Sequence, residues 1–221
     1  MRAVLFDVDG VVLDSMAIYR RVWRQWCLQA ELDPDTVWPL THGRRPQDTI
    51  ALVAPHLAVE SELRRLSAFL DQESSPLPAM PGAQELLAAL PQAGWALVTS
   101  NSEHFVRSEF ARLGLPWPRV IVDGGAVQHG KPSPEGFLAA SRRLGCPAID
   151  CLVVEDAPAG VAAGLAAGMR VLAIEAPPAD GELAMAHARF PSLEAAARAI
   201  RNWVSAPGPE HPLPGSAAEE S

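Results

Sequence analysis

The chain has 221 residues, 48% of them hydrophobic and 20% charged, enough apolar material for one sizeable core and a small accessory unit. A formal net charge of −8 excludes a nucleic-acid surface, which needs clustered Lys and Arg against phosphates, and leaves a small molecule as the expected partner. Three cysteines, Cys27, Cys146 and Cys151, show no CxxC or Cys/His spacing, so neither a disulfide framework nor a zinc site is expected.

Met1 leads directly into Ala3 to Phe6 without a basic segment or cleavage site. No window approaches the ~20 apolar residues that span a bilayer. The expectation is a soluble, cytoplasmic, monomeric protein with no membrane partner. Five short apolar runs have the length of buried strands: Ala3 to Phe6, Trp95 to Thr99, Arg119 to Val122, Cys151 to Val154 and Arg170 to Ile174. Helical patterns at Ala83 to Leu90, Glu103 to Leu113, Pro134 to Leu144 and Ala159 to Ala167 alternate with them. That alternation predicts an α/β fold with a parallel sheet covered on both faces, in which sites form at the carboxyl ends of the strands.

Residues 15–80 break the rhythm with helical patterns alone, at Met16 to Gln29, Gln47 to Val53 and Ser61 to Leu70. This block reads as a helical unit inserted into a core formed by residues 1–14 and 81–204. Its connections are the turn at Asp14 and Ser15 and the proline-rich stretch Ser75 to Pro81. Trp23 and Trp26 on its first helix read as packing residues. Residues 205–221 combine Pro, Gly, Ser and acidic residues with little apolar surface, the composition of a disordered tail.

The chemistry-bearing residues follow the strands. Asp7 and Asp9 stand two apart after the first apolar run, where desolvation is unfavourable unless a metal or a partner compensates. A turn and a calcium or magnesium site both fit Asp7-Val8-Asp9-Gly10 taken alone. Ser100 and Asn101 follow the second run, where a hydroxyl and backbone N–H groups at a helix start can hold phosphate oxygens. Lys131 lies in the proline-rich loop Gly130 to Pro134, able to aim an ammonium at an anion. Glu155 and Asp156 follow the fourth strand. Four carboxylates converging on one point of the sheet, Asp7, Asp9, Glu155 and Asp156, call for a divalent cation, and oxygen ligands favour Mg2+.

The four ordered motifs DVDGVVLDS, VTSN, GKPSPEGF and VEDAPAG resemble those of the haloacid dehalogenase-like hydrolase superfamily over roughly residues 1 to 175. The resemblance implies a Rossmann-like core with a helical cap inserted after the first strand. It also implies a phosphatase acting on a small phosphorylated metabolite, with Asp7 as nucleophile and Asp9 as general acid/base. Ser100, Asn101 and Lys131 would hold phosphate and Asp156 the metal. Asp9 would add its backbone carbonyl, and Glu155 would be either a direct ligand or its neighbour's support.

In the cap, His42, Gly43, Arg44 and Arg45 form a loop able to place guanidinium groups above the core. The loop resembles that of 2-deoxyglucose-6-phosphate and glycerol-phosphate phosphatases, with Arg45 as the matching residue. A sugar phosphomutase of the β-phosphoglucomutase type is the alternative. Such a mutase uses a hinge His and a cap Arg where this chain has Tyr19 and Pro46, which favours the phosphatase. A non-catalytic metabolite-binding protein would not need Asp7 together with Asp9.

Overall fold

Six parallel strands, β1 (Ala3–Phe6), β2 (Trp95–Val98), β3 (Ile121–Val122), β4 (Cys151–Glu155), β5 (Arg170–Ile174) and β6 (Ala188–Phe190), form one sheet in the order β3-β2-β1-β4-β5-β6. The computed structural model describes residues 1–174 and 183–206. β1 pairs with β2 on one side and β4 on the other, with Val4 opposite Trp95 and Leu152. Connections run outward in both directions from β1, so the strand order reverses there and a crevice opens above the ends of β1, β2 and β4.

The unbroken apolar runs are explained by burial on both faces. Val4, Phe6, Leu152 and Val154 point into one core, which includes residues of α5 (Ala83–Ala89), α6 (Glu103–Leu113) and α9 (Leu193–Ser205). Ala3, Leu5 and Val153 point into the other, with Phe137 of α7 (Glu135–Leu144) and Val161 of α8 (Pro158–Ala166). On the first face Trp203 donates its indole N–H to the Ala3 carbonyl at 3.1 Å, and Arg2 stacks on its ring at 4.3 Å.

Between β1 and α5 lie the four cap helices, α1 (Met16–Gln29), α2 (Pro34–Thr41), α3 (Pro46–Val53) and α4 (Val59–Asp71). α1 and α4 pack through Trp26, whose indole N–H donates at 2.9 Å to Glu62, a buried carboxylate that also pairs with Arg65. The chain enters and leaves the cap side by side. Leu13 bridges Ala79 in antiparallel fashion, Asp14 N–H donates to Pro78 O, and Met80 N–H donates to Val12 O.

Several elements differ from the sequence expectation. β3 contains only Ile121 and Val122 of the predicted run, because it is an edge strand. α2 lies in a stretch to which no helix was assigned, although Asp33 accepts from Asp35 N–H as N-cap and Pro34 occupies the first turn. β6 was not foreseen: at the other edge of the sheet, Ala188 and Phe190 are only partly buried and Arg189 is exposed. α9 was not foreseen either, and it carries the fold through Ser205. Ser205 was expected to begin the tail; from residue 207 onward that tail lies outside the described residues.

Candidate active site

The strand ends build the floor of a cavity where Asp7, Asp9, Ser100, Asn101 and Asp156 meet. Cap residues Tyr19, Trp23, Trp38, His42 and Arg44 form its roof. Gly10 makes the floor possible. Its φ is +79°, and an added Cβ would sit 1.9 Å from Asp156 Oδ2, so no side chain fits between the β1 turn and the end of β4.

Lys131 is buried with its ammonium between two carboxylates, donating to Asp7 Oδ1 and, at 2.5 Å, to Glu155 Oε1. Burial alone would lower the Lys131 pKa. The charges of Asp7 and Glu155 and the bonds to them reverse that and hold it above the usual value, so it is a permanent cation. Glu155 is fully buried; its other oxygen accepts the Asp156 and Ala157 N–H groups at 3.1 and 3.2 Å. Burial, partly offset by the Lys131 charge, pushes its pKa up to about 7. Both oxygens of Glu155 therefore orient neighbours, in keeping with a supporting role beside Asp156.

Oxygens of Asp7, Glu155 and Asp156 lie within 4.8 Å of one another. Desolvation first, then the charges of Glu155 and Asp7, raise the Asp156 pKa well above its usual value. Asp9 is raised to about 6, by burial and then by Asp7, while Asn101 and Lys131 act against the rise. Asp9 Oδ1 is buried without a hydrogen-bond partner. Four carboxylates thus share one ammonium. The remaining charge deficit and the all-oxygen donor set fit a hard divalent cation held by Asp7 and Asp156.

Ser100 Oγ donates to the Gly43 carbonyl at 2.8 Å. Asn101 Nδ2 donates to Asp9 Oδ2 at 2.6 Å and to the Tyr19 hydroxyl at 2.7 Å. His42 packs edge-on against Trp38, with ring centroids 4.7 Å apart. Arg44 lines the cavity, but Arg45, expected beside it, does not.

The Arg45 guanidinium is buried, paired with Asp48 at 2.7 and 2.8 Å, and donates to the carbonyls of Gly124, Val127 and Gln128 at 3.0–3.1 Å. It threads between Gly124 and Gly130, where an added Cβ would lie 3.3 and 3.1 Å from its Cδ. All five donors are used, three on core carbonyls and two on Asp48, so Arg45 has none left for a substrate; of the four cap residues expected to meet one, His42, Gly43 and Arg44 line the cavity. Trp23 was read only as packing and Trp38 was not singled out, yet both line the roof. No sequence signal separates a Trp that faces a cavity from one that faces a core.

The comparisons fit this geometry. A model of the haloacid dehalogenase-like hydrolase family matches residues 1–168. Hexitol phosphatase A of Escherichia coli is 38% identical over 181 residues, covering 80% of this chain and 84% of its own. Glycerol-1-phosphate phosphohydrolase 2 of Saccharomyces cerevisiae is 34% identical over 186 residues, covering 79% and 74%. Among solved structures, a candidate β-phosphoglucomutase from Bacteroides vulgatus superposes with a TM-score of 0.80 at 26% identity, over 93% of this chain and 91% of its own. With the strand-end carboxylates, the buried lysine and the helical cap in place, the chain belongs to the haloacid dehalogenase-like hydrolases, and within them to the phosphatases.

Proposed function

We propose that the protein hydrolyses the phosphate monoester of a small sugar or polyol, with Mg2+, through an aspartyl-phosphate on Asp7. The observation that carries this reading is the convergence of Asp7, Asp9, Asp156 and Lys131 beneath a cavity roofed by the cap. The phosphatase names of the relatives support it, as does the polyol that each of those two names specifies. A roof of aromatic rings with His42 and Arg44 suits a carbon chain bearing hydroxyls.

A carboxylate of Asp7 attacks phosphorus and the bond to the ester oxygen breaks. Asp9 gives its proton to the departing alkoxide, then takes one from the water that attacks the acyl phosphate, which frees phosphate and restores Asp7. Lys131 offsets charge on the transferring group, and the Ser100 hydroxyl, freed from Gly43, can donate to a phosphoryl oxygen. Mg2+, held by Asp7, Asp156 and the Asp9 carbonyl, would supply further stabilisation of that charge.

The reading is tested by following phosphate release from hexitol and glycerol phosphates in Mg2+, beside an Asp7→Asn variant. Asp7→Asn should fold and lose at least ~10³-fold in kcat. Retained turnover by that variant would rule out Asp7 as the nucleophile.

A further inference from the structure

We propose that Asn101 and Tyr19 are positioning residues for Asp9, a cap-linked pair that pins one carboxylate oxygen and leaves the other for proton transfer. The inference rests on the phosphatase reading and reassigns Asn101, which sequence reasoning placed among phosphate ligands. Both protons of the Asn101 amide are committed, one to Asp9 Oδ2 at 2.6 Å and one to the Tyr19 hydroxyl at 2.7 Å. Only an amide N–H can face a carboxylate, so the chemistry fixes which way the amide points. The Asn101 backbone is committed too: its N–H donates to Thr99 Oγ1 and its carbonyl accepts from Gly124 N–H. Little remains with which to bind phosphate.

Asp9 Oδ1, by contrast, is buried without a hydrogen-bond partner; the Ser15 hydroxyl, likewise buried and unpaired, lies near enough to favour the charged carboxylate but makes no hydrogen bond to it. An unpinned carboxylate rotates between equivalent oxygens. One held through Oδ2 presents Oδ1 in a fixed direction, which favours transfer to a leaving group at a defined place. Tyr19 adds a condition. It belongs to the first cap helix, whereas Asn101 and Asp9 belong to the core, so the pair is complete only when the cap is docked.

The proposal makes general-acid catalysis, not phosphate binding, the step that suffers when the pair is broken. Phenyl phosphate and p-nitrophenyl phosphate have nearly the same shape but differ in how much their leaving oxygens need a proton. In Mg2+, Asn101→Ala should lower kcat/KM for phenyl phosphate by roughly 10–100-fold and for the nitro ester by less than ~5-fold. Tyr19→Phe, which removes a single oxygen and preserves packing, should shift the ratio in the same direction by a smaller factor. The double variant should fall no further than Asn101→Ala, because the two residues act through one carboxylate. Equal losses on the two esters would overturn the proposal and return Asn101 to the phosphate ligands. An unchanged ratio in Tyr19→Phe would overturn the part given to the cap. A wild-type protein inactive on phenyl, p-nitrophenyl and hexitol phosphates alike would overturn the phosphatase reading itself.

Discussion

Glu155 illustrates how differently two ion pairs in one molecule contribute. Arg107 and Glu103 approach to 2.5 Å on the surface of α6, half-exposed to a solvent that screens them. Glu155 meets Lys131 at the same distance with both side chains almost wholly buried, and it also receives two backbone N–H groups. A glutamine there would turn an amide N–H toward either the ammonium or those backbone donors. Glu155→Gln is therefore expected to lower unfolding stability by roughly 3 kcal/mol, as loss of one partner in a buried pair does, and to reduce kcat. Glu103→Gln should change neither measurably. Denaturant unfolding of the two variants makes the comparison, and equal effects would contradict it. The Glu-Asp pair was legible in the sequence because two acids directly follow an apolar strand. Which acid supports and which faces the cavity was not, since that depends on the Ala157 and Lys131 positions.

At the scale of elements, the cap is fastened to the core by the side chain that opens α3. Arg45 occupies the N-cap position without capping its own helix, and spends its guanidinium on Asp48 and three core carbonyls. The acceptor loop is itself held, because Glu135 accepts the N–H groups of Gln128 and His129 at 2.7 and 2.9 Å. Arg45→Ala is expected to increase hydrogen exchange in α3 and in residues 124–128 together, and to weaken cap docking by roughly 2–4 kcal/mol. Arg44→Ala, on the cavity side, should leave exchange at both segments unchanged while raising KM. Exchange that rises in α3 alone would show that the guanidinium does not couple the two units. Sequence reasoning aimed both arginines of this loop at the cavity, and the structure turns Arg45 away from it. Adjacent arginines have the same chemistry, and only the slot between Gly124 and Gly130 decides which one enters. The three strand ends that build the floor were legible, because fully buried runs terminate there in polar residues. α2 was missed despite its Asp33-Pro34 signal, as its short apolar face has no long periodic run.

For the whole molecule, the acidic floor links stability to pH and to metal. Folding raises the Asp9 pKa from 3.8 to about 6, so between those values the folded protein binds more protons than the unfolded chain. Stability of the metal-free protein should therefore decline as pH rises through that window, by about 3 kcal/mol from Asp9 alone, and remain reduced above it. Glu155 and Asp156 are shifted in the same direction. Lys131 acts oppositely, but its raised pKa keeps it charged throughout, so it adds no slope below neutrality. On the proposed function Mg2+ would bind the deprotonated floor and restore what is lost, by ~2.7 kcal/mol at 100 times its Kd. The expected result is a metal-free Tm higher at pH 5.5 than at pH 7.5, and a Mg2+-induced rise larger at pH 7.5. A Mg2+ effect independent of pH would argue against a metal on these carboxylates.

The paired connections at Leu13 and Ala79 set the mechanics of access. Two hydrogen-bonded segments side by side join cap and core at one place, so the two strands of the connection must move together. The cap is consequently a door on one hinge. Tyr19, whose N–H donates to Ser15 at the hinge itself, sits close to the axis and travels little for a given swing. The loop that receives Arg45 follows β3, two strands from β1 and so ~10 Å away, where the same rotation gives a larger displacement. A small rotation about that hinge would free the outer latch before the contact at Asn101 is lost. Closure would run in the reverse order, with the last bolt to slide home the one that lies outside the chemistry.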